Sequence, residues 1–318
     1  MALLKNCTTT FKLNTGATIP AVGLGTWNST DEKEAKGAVV AAIKAGYRHI
    51  DTAYIYRNEK QIGEGIKEAI NSGLVKREEL FVTTKLWCFD QTDPLPALEG
   101  SIERLGLDYI DLYLMHWPIP IHKREDANGN LIWQPPLDDP NRAEYFRKDW
   151  DFFKTWELMS KLPESGLTKA VGVSNFTAGR LEALCSKGKL IPACNQVQLH
   201  PLLPEIELLE VANKYGVILE AYSPLGSQNT PVLKNEFISE IAKKNDIPAA
   251  NVIFSWIVSR GIVVLPKSVK EARIVSNLKT IDLPKEDMEA LTEYASRNGG
   301  PARVATSKWL PEGFWEEY

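Results

Sequence analysis

Short apolar runs rich in β-branched and aromatic residues alternate along the chain with stretches whose apolar residues recur every three or four positions. The runs are VGLGTW at 22–27, YRHID at 47–51, LFVTTK at 80–85, YIDLYLMHW at 109–117, AVGVSN at 170–175, NQVQLH at 195–200, VILEAYS at 217–223 and IVVLPKS at 262–268. Each reads as a strand. The stretches between them read as helices. Ser29 and Glu32 stand in capping-box spacing ahead of a helix that ends before Gly46, and the next helix has Asn58 as N-cap and Gly73 as its C′ glycine. Ile62, Ile66, Ala69 and Ile70 give that second helix one apolar stripe, and Leu98, Ile102 and Leu105 repeat the pattern before Gly106. Later helices are expected over 151–161, 177–187, 204–215, 235–244, 248–259, 270–277 and 284–297. Such alternation implies a parallel sheet, and eight strands are the number of a closed barrel.

An open doubly wound sheet usually carries G-x-G-x-x-G after its first strand. Gly23-Leu-Gly25 continues to Asn28 and Gly63-Glu-Gly65 to Glu68, so neither completes the pattern, and no Walker A sequence occurs. The fold expected is therefore α/β: a single (β/α)8 TIM barrel over residues 1–318 with an N-terminal β-hairpin and long loops at the C-terminal face. The hairpin is expected over 8–20, turning at Asn14-Thr15-Gly16, placed to cap the barrel floor. Residues 118–149 are too long for an ordinary connection and are expected to form a substrate loop, and 298–318 form a C-terminal tail.

Composition adds mainly exclusions. The 318 residues are 44% hydrophobic and 25% charged, which rules out a mainly disordered chain. A net charge of −4 gives no general attraction to nucleic acid or anionic lipid. No apolar run approaches the roughly 18 residues that span a bilayer, and MALLKNCTTT lacks the apolar centre of a secretory signal. A cytoplasmic protein without nucleic-acid or membrane partners is expected. Cys7, Cys88, Cys185 and Cys194 are scattered without a CxxC pair, so neither a metal site nor a disulfide is expected.

The candidate chemistry lies at strand ends. Asp51 and Tyr56 come after YRHI, Lys85 after LFVTT and His116 after YIDLYLM, and the residues after parallel barrel strands gather at one mouth. A lysine beside a tyrosine favours the phenolate and is expected to lower the phenol's pKa, and a buried lysine needs a carboxylate partner, for which Asp51 is the right type. His116 would bond the same substrate oxygen that Tyr56 protonates. Together the four can protonate an alkoxide. Trp27, Trp87 and Trp117 each follow a strand and are expected to ring an apolar substrate pocket with His116. The aromatic tail residues Trp309, Phe314, Trp315 and Tyr318 either set selectivity there or pack over the barrel.

GYRHIDTAYIYRNE, TTKLW, LMHWP, GVSNF, NQVQLHP, AYSPLGS and LPKSV, in this order between about residues 10 and 310, resemble the signature phrases of the aldo-keto reductases. The chain is most similar to fungal NADP-dependent members of the glycerol dehydrogenase and carbonyl reductase type. The resemblance implies that Tyr56 is the general acid, that Lys85 and Asp51 tune it, and that His116 orients the carbonyl. It implies NADPH/NADP+ across the barrel mouth, with Tyr222 stacked on the nicotinamide and Ser174, Asn175 and Gln196 bonding its carboxamide. It also implies further cofactor contacts from Gly25, Thr26, Trp27 and Asp51. In the loop SPLGSQNTP, Ser223, Pro224, Leu225, Gly226 and Ser227 would wrap the pyrophosphate.

Lys267, Ser268 and Arg273 suit a 2′-phosphate, which NAD lacks, and Val269 and Asn277 complete that end of the cofactor site. The family often has Glu where Ser276 stands. The function implied is reversible, NADPH-dependent reduction of aldehydes, ketones or ketoesters, or polyol oxidation as in a glycerol dehydrogenase. A pentose (xylose-type) reductase is an alternative, although that subgroup often has Asn where Val269 stands. A low-turnover, cofactor-binding regulatory subunit is another, against which the intact set of four residues speaks. The expected partner is a small carbonyl or alcohol, and the expected state is a monomer or weak homodimer.

Overall fold

The computed structural model describes residues 3–227 and 230–316, and in it the eight runs become eight parallel strands of one sheet. These are β4 (Leu24–Gly25), β5 (His49–Asp51), β6 (Phe81–Leu86), β7 (Ile110–Met115), β8 (Thr168–Ser174), β9 (Cys194–Gln198), β10 (Ile218–Tyr222) and β11 (Val263–Leu265), each beside its neighbour in sequence. Bridges from Val22 to Val264 and from Gly25 to Lys267 join the first strand to the last and close the barrel. The seam is tight: a Cβ at Gly23 would lie 2.7 Å from both His49 Nδ1 and Leu265 Cδ2. Alternation along each strand separates two cores. Val82, Leu86, Tyr113 and Val173 face the helices, whereas Phe81, Leu112, Leu114, Ala170, Val263 and Leu265 form an apolar plug inside the barrel.

The helical layer is α1 (Glu32–Ala45), α2 (Glu59–Asn71), α3 (Pro94–Leu105), α4 (Phe152–Met159), α5 (Ala178–Lys187), α6 (Ile206–Tyr215), α7 (Glu236–Asn245), α8 (Ala249–Ser259), α9 (Glu271–Asn277) and α10 (Lys285–Arg297). Two expected caps differ. Asp31, not Ser29, caps α1, its Oδ1 accepting from the Glu34 N–H at 2.9 Å, while Ser29 is buried. Asn58 occupies the N-cap position of α2 but its side chain donates to the carbonyls of Thr26 (2.9 Å) and Ser29 (3.3 Å), tying the β4 loop down. Gly73 does end α2: its N–H bonds the Ile70 carbonyl and that of Leu74 bonds Ala69, the paired contacts of a left-handed helix ending. Among the described residues no helix is long and apolar enough to cross a membrane.

The hairpin pairs β2 (Thr10–Lys12) with β3 (Thr18–Pro20), and its Leu13 and Ile19 pack onto the interior plug, closing the floor. An additional antiparallel pair, β1 (Lys5–Asn6) with β12 (Lys279–Thr280), lacked any alternating pattern to announce it. The 118–149 loop is internally braced by bridges from Ile121 to Phe146 and from Glu125 to Leu131. The tail is strapped over the mouth: Arg142 donates to the carbonyls of Trp309 (2.7 Å) and Leu310 (2.8 Å), and Arg180 to that of Phe314 (2.6 Å).

Candidate active site

The four candidate residues converge at the C-terminal mouth, from slightly different places than the sequence implied. Asp51 and Lys85 lie within the ends of β5 and β6, Tyr56 closes a 3-10 turn over Tyr54–Tyr56, and His116 directly follows β7. Alternation turns Asp51 and Lys85 into the barrel, where both are buried. Lys85 Nζ lies 2.8 and 2.7 Å from the two Asp51 carboxylate oxygens, 2.8 Å from the Thr52 carbonyl and 3.3 Å from Tyr56 Oη. The ammonium thus joins the carboxylate to the phenol.

One expectation fails here. Lys85 does not lower Tyr56: burial first, and the negative charge of Asp51 second, hold the phenol well above its ordinary 10.0. Asp51 offsets most of the ammonium's charge, and removal from water disfavours the phenolate. Tyr56 is consequently protonated at neutral pH. Burial, followed by Lys85, pushes His116 well below 6.5, so its imidazole is neutral. Its ring centre is 5.8 Å from that of Tyr56 and 5.2 Å from that of Trp87.

The three indoles differ in exposure. Trp27 is 53% exposed and meets Tyr56 edge-on at 5.1 Å, the only one of the three open to solvent. Trp87 and Trp117 are buried, and Trp309 packs against both, at 5.9 and 5.7 Å. The Trp87 indole N–H donates to the Trp133 carbonyl at 2.9 Å, so its polar edge points into the loop. Phe314 and Trp315 pack on Trp117, each at 5.9 Å, while Tyr318 lies outside the described residues. Trp133 was not singled out from sequence; a tryptophan amid Pro, Asp and Asn was its only signal.

The remaining candidates form two groups. Ser174, Asn175, Gln196 and Tyr222 adjoin the four central residues. Asn175, with a left-handed backbone (φ 64), donates to the His116 carbonyl (2.8 Å) and Ser174 Oγ (3.1 Å) and accepts from Tyr222 Oη (2.8 Å). Its amide therefore fixes Tyr222 and leaves the capping of α5 to Thr177. Gln196 donates to Asp51 Oδ2 at 2.8 Å and to Glu220 Oε2 at 3.2 Å. Glu220 was missed, although a carboxylate inside the apolar run VILEAYS was a visible signal. Thr26 Oγ1 donates to the Asp51 carbonyl at 2.9 Å, and the Gly25 N–H to that of Pro266 at 3.0 Å.

The second group lies along the rim. Ser223, Gly226 and Ser227 have left-handed backbone (φ 49, 88 and 62), and the Gly226 N–H donates to the Ser223 carbonyl at 2.9 Å. Pro224 and Leu225 complete that turn, while Gln228 and Asn229 lie outside the described residues. Lys267 is exposed and donates to the Asn28 carbonyl at 3.3 Å, and partial burial lowers its pKa. Ser268 Oγ accepts from the Lys270 N–H at 3.1 Å. Val269 is half-buried, Arg273 exposed on α9 and Asn277 buried at its end. Among the described residues, no hydrogen bond or ion pair joins this second group to the four central residues.

Known proteins match the whole of this architecture. A family model described as "Aldo/keto reductase family" matches residues 21–296. The chain is 52% identical over 312 residues to glycerol 2-dehydrogenase (NADP(+)) of Saccharomyces cerevisiae, covering 98% of each. It is 49% identical over 310 residues to aldehyde reductase YPR1 of the same yeast, covering 97% of each. Among solved structures, a Bombyx mori aldo-keto reductase in complex with NADP superposes with a TM-score of 0.78 at 33% identity, covering 98% of this chain and 97% of that one.

Proposed function

The chain belongs to the aldo/keto reductase family, and on that premise we propose that it is an NADPH-dependent oxidoreductase that reversibly reduces aldehydes and ketones to alcohols. The observation that carries this reading is the buried chain from Asp51 through Lys85 to Tyr56, ending at a protonated phenol beside a neutral imidazole. When bound, NADPH supplies the hydride that goes to the carbonyl carbon.

The mouth has the features such a cofactor needs. Tyr222 offers a ring whose hydroxyl is anchored on Asn175; the Ser174 hydroxyl donates to the Gln196 backbone carbonyl at 2.7 Å, so a carboxamide would meet the remaining lone pair of Ser174 Oγ and the side-chain amide oxygen of Gln196. At Gly226 a Cβ would lie 2.7 Å from Pro231 Cδ, so the turn over 223–227 closes this tightly only around glycine. Arriving phosphate would offset the electrostatic cost of partly burying Lys267, with Ser268 next to it and Arg273 six residues on in sequence. Gly25, Thr26, Val269 and Asn277 contribute shape rather than charge.

In reduction His116 donates a hydrogen bond to the carbonyl oxygen and holds it within reach of Tyr56. Tyr56 Oη gives its proton to that oxygen as negative charge develops, leaving a phenolate. The Lys85 ammonium at 3.3 Å stabilises this phenolate, although it does not produce one beforehand. Water then returns the proton. Trp27 and the braced wall of Trp87, Trp117 and Trp309 give the carbonyl's substituents an apolar environment. Both yeast relatives suit this chemistry, one named as a glycerol dehydrogenase and the other as an aldehyde reductase.

The test is NADPH consumption over a panel of aldehydes, ketones, ketoesters and pentoses, repeated with Tyr56→Phe. Wild type should turn over one of these classes, and the variant should bind NADPH with unchanged affinity but lose roughly 10²–10⁴-fold in kcat. Equal rates would remove Tyr56 as the acid.

A further inference from the structure

Beneath the four central residues lies a second carboxyl that the proposed chemistry does not use. Glu220, on β10, is fully buried, and its side chain points into the barrel between the catalytic layer and the apolar plug. Oε2 accepts from Gln196 at 3.2 Å, and the same Gln196 nitrogen donates to Asp51 Oδ2 at 2.8 Å. Among the described residues Oε1 has no hydrogen-bond partner, and it lies 3.8 Å from His49 Nε2, itself 3.1 Å from Thr83 Oγ1. One amide therefore bridges two carboxyl groups.

Counting charges decides what this arrangement tolerates. Facing Glu220 are His49 and Asp51 from β5, Lys85 from β6, and Gln196 and the Cys194 thiol from β9. The remaining strands contribute the apolar plug, with no charge. Among the described residues Lys85 is the single cation facing it unless His49 is protonated, and burial holds His49 down to about 3. Lys85 already gives its hydrogen bonds to Asp51, Thr52 and Tyr56. An ionised Glu220 would thus be a second buried negative charge opposite a committed cation, with one oxygen unsolvated.

We propose that Glu220 is a positioning residue for the proton transfer: held as a neutral acid it leaves Lys85 free to stabilise the Tyr56 phenolate, and on ionising it withdraws that support. Ionisation releases one proton to solvent and adds one negative charge to the site, with no change in oxidation state. The added charge makes the phenolate costlier to form, so reduction slows as pH rises. Burial, then repulsion from Asp51, raises Glu220 to about 8, which puts this change just above neutrality.

The inference rests on Tyr56 being the proton donor, and the experiments separate the two. Infrared difference spectra of the wild-type protein, titrated from pH 6 to 10, should show the carbonyl stretch of a buried protonated carboxylic acid that disappears with alkali and is missing in Glu220→Gln. Single-turnover reduction should fall with alkali in wild type, and in Glu220→Gln that fall should move up by about one pH unit or more. A wild-type protein with no protonated-acid band at neutral pH would overturn the proposal without any variant having to fold. So would identical pH profiles for wild type and Glu220→Gln. Turnover surviving in Tyr56→Phe would remove the donor while leaving the infrared result intact.

Discussion

Lys85 Nζ stands 3.3 Å from Tyr56 Oη and 2.7 Å from Asp51 Oδ2, so the group that can stabilise a phenolate is already neutralised by its own partner. The tyrosine stays protonated until the reaction draws its proton away, which suits an acid in the reducing direction.

Replacing Lys85 with Met keeps the length of the side chain and removes the charge. Asp51 is left buried opposite an apolar group, a loss of roughly 3–5 kcal/mol when one partner of a buried pair goes. Urea unfolding should show that destabilisation, and the folded fraction should retain NADPH affinity while kcat falls at least about 100-fold. A variant as stable and as active as wild type would mean that the pair is dispensable.

Arg273 is exposed on α9. Arg273→Ala should weaken NADPH by roughly tenfold, the loss of about 1.4 kcal/mol of charge-assisted bonding, and leave NADH unchanged. Fluorescence titration with both cofactors distinguishes this from a general defect, which would weaken the two equally.

Gly63 on α2 packs against the end of α3, where an added Cβ would lie 2.0 Å from the Leu105 carbonyl oxygen. Backbone cannot yield as a flexible side chain does. Gly63→Ala should cost roughly 1–3 kcal/mol by urea denaturation, with kcat per folded molecule unaltered. A midpoint shift near zero would show that the helices slide apart freely.

His200 accepts a hydrogen bond from Gln198 Nε2 at 2.9 Å, and Gln198 Oε1 in turn accepts from the Ala305 N–H of the tail. Burial, then Arg303, lowers its pKa from 6.5 to about 3. Between those values the unfolded chain takes up a proton that the folded chain refuses, so this residue's contribution to stability is present above 6.5 and declines as pH falls. His200→Gln removes the decline. Below pH 6.5 the variant should gain on wild type by about 1.4 kcal/mol per pH unit, read as the difference between paired urea curves. A gap independent of pH would mean that His200 is protonated in the folded protein.

Strand ends carried most of what the sequence revealed. Because parallel barrel strands all end at the same mouth, Asp51, Lys85 and His116 could be assigned there from their places at strand ends. The direction of the Tyr56 shift was not legible, because it depends first on how completely the folded chain removes the phenol from water and then on the closeness of Asp51. Glu220 escaped notice because a single carboxylate in a strand reads equally well as a solvent-facing position. Asn58 sat at its expected N-cap position and yet bonds two carbonyls of the β4 loop. Its pattern specified the place, whereas its partners came from chain distant in sequence.

The seam between β4 and β11 pairs Gly25 with Lys267 and Val22 with Val264, residues separated by most of the chain. Contacts of such long sequence separation require the intervening loop to be closed, and they slow folding. A ribosome must therefore release more than four-fifths of this protein before the barrel can shut. Until then the β4 edge has one partner strand, and the nascent chain spends that interval with an open parallel sheet, the period in which chaperone protection matters most.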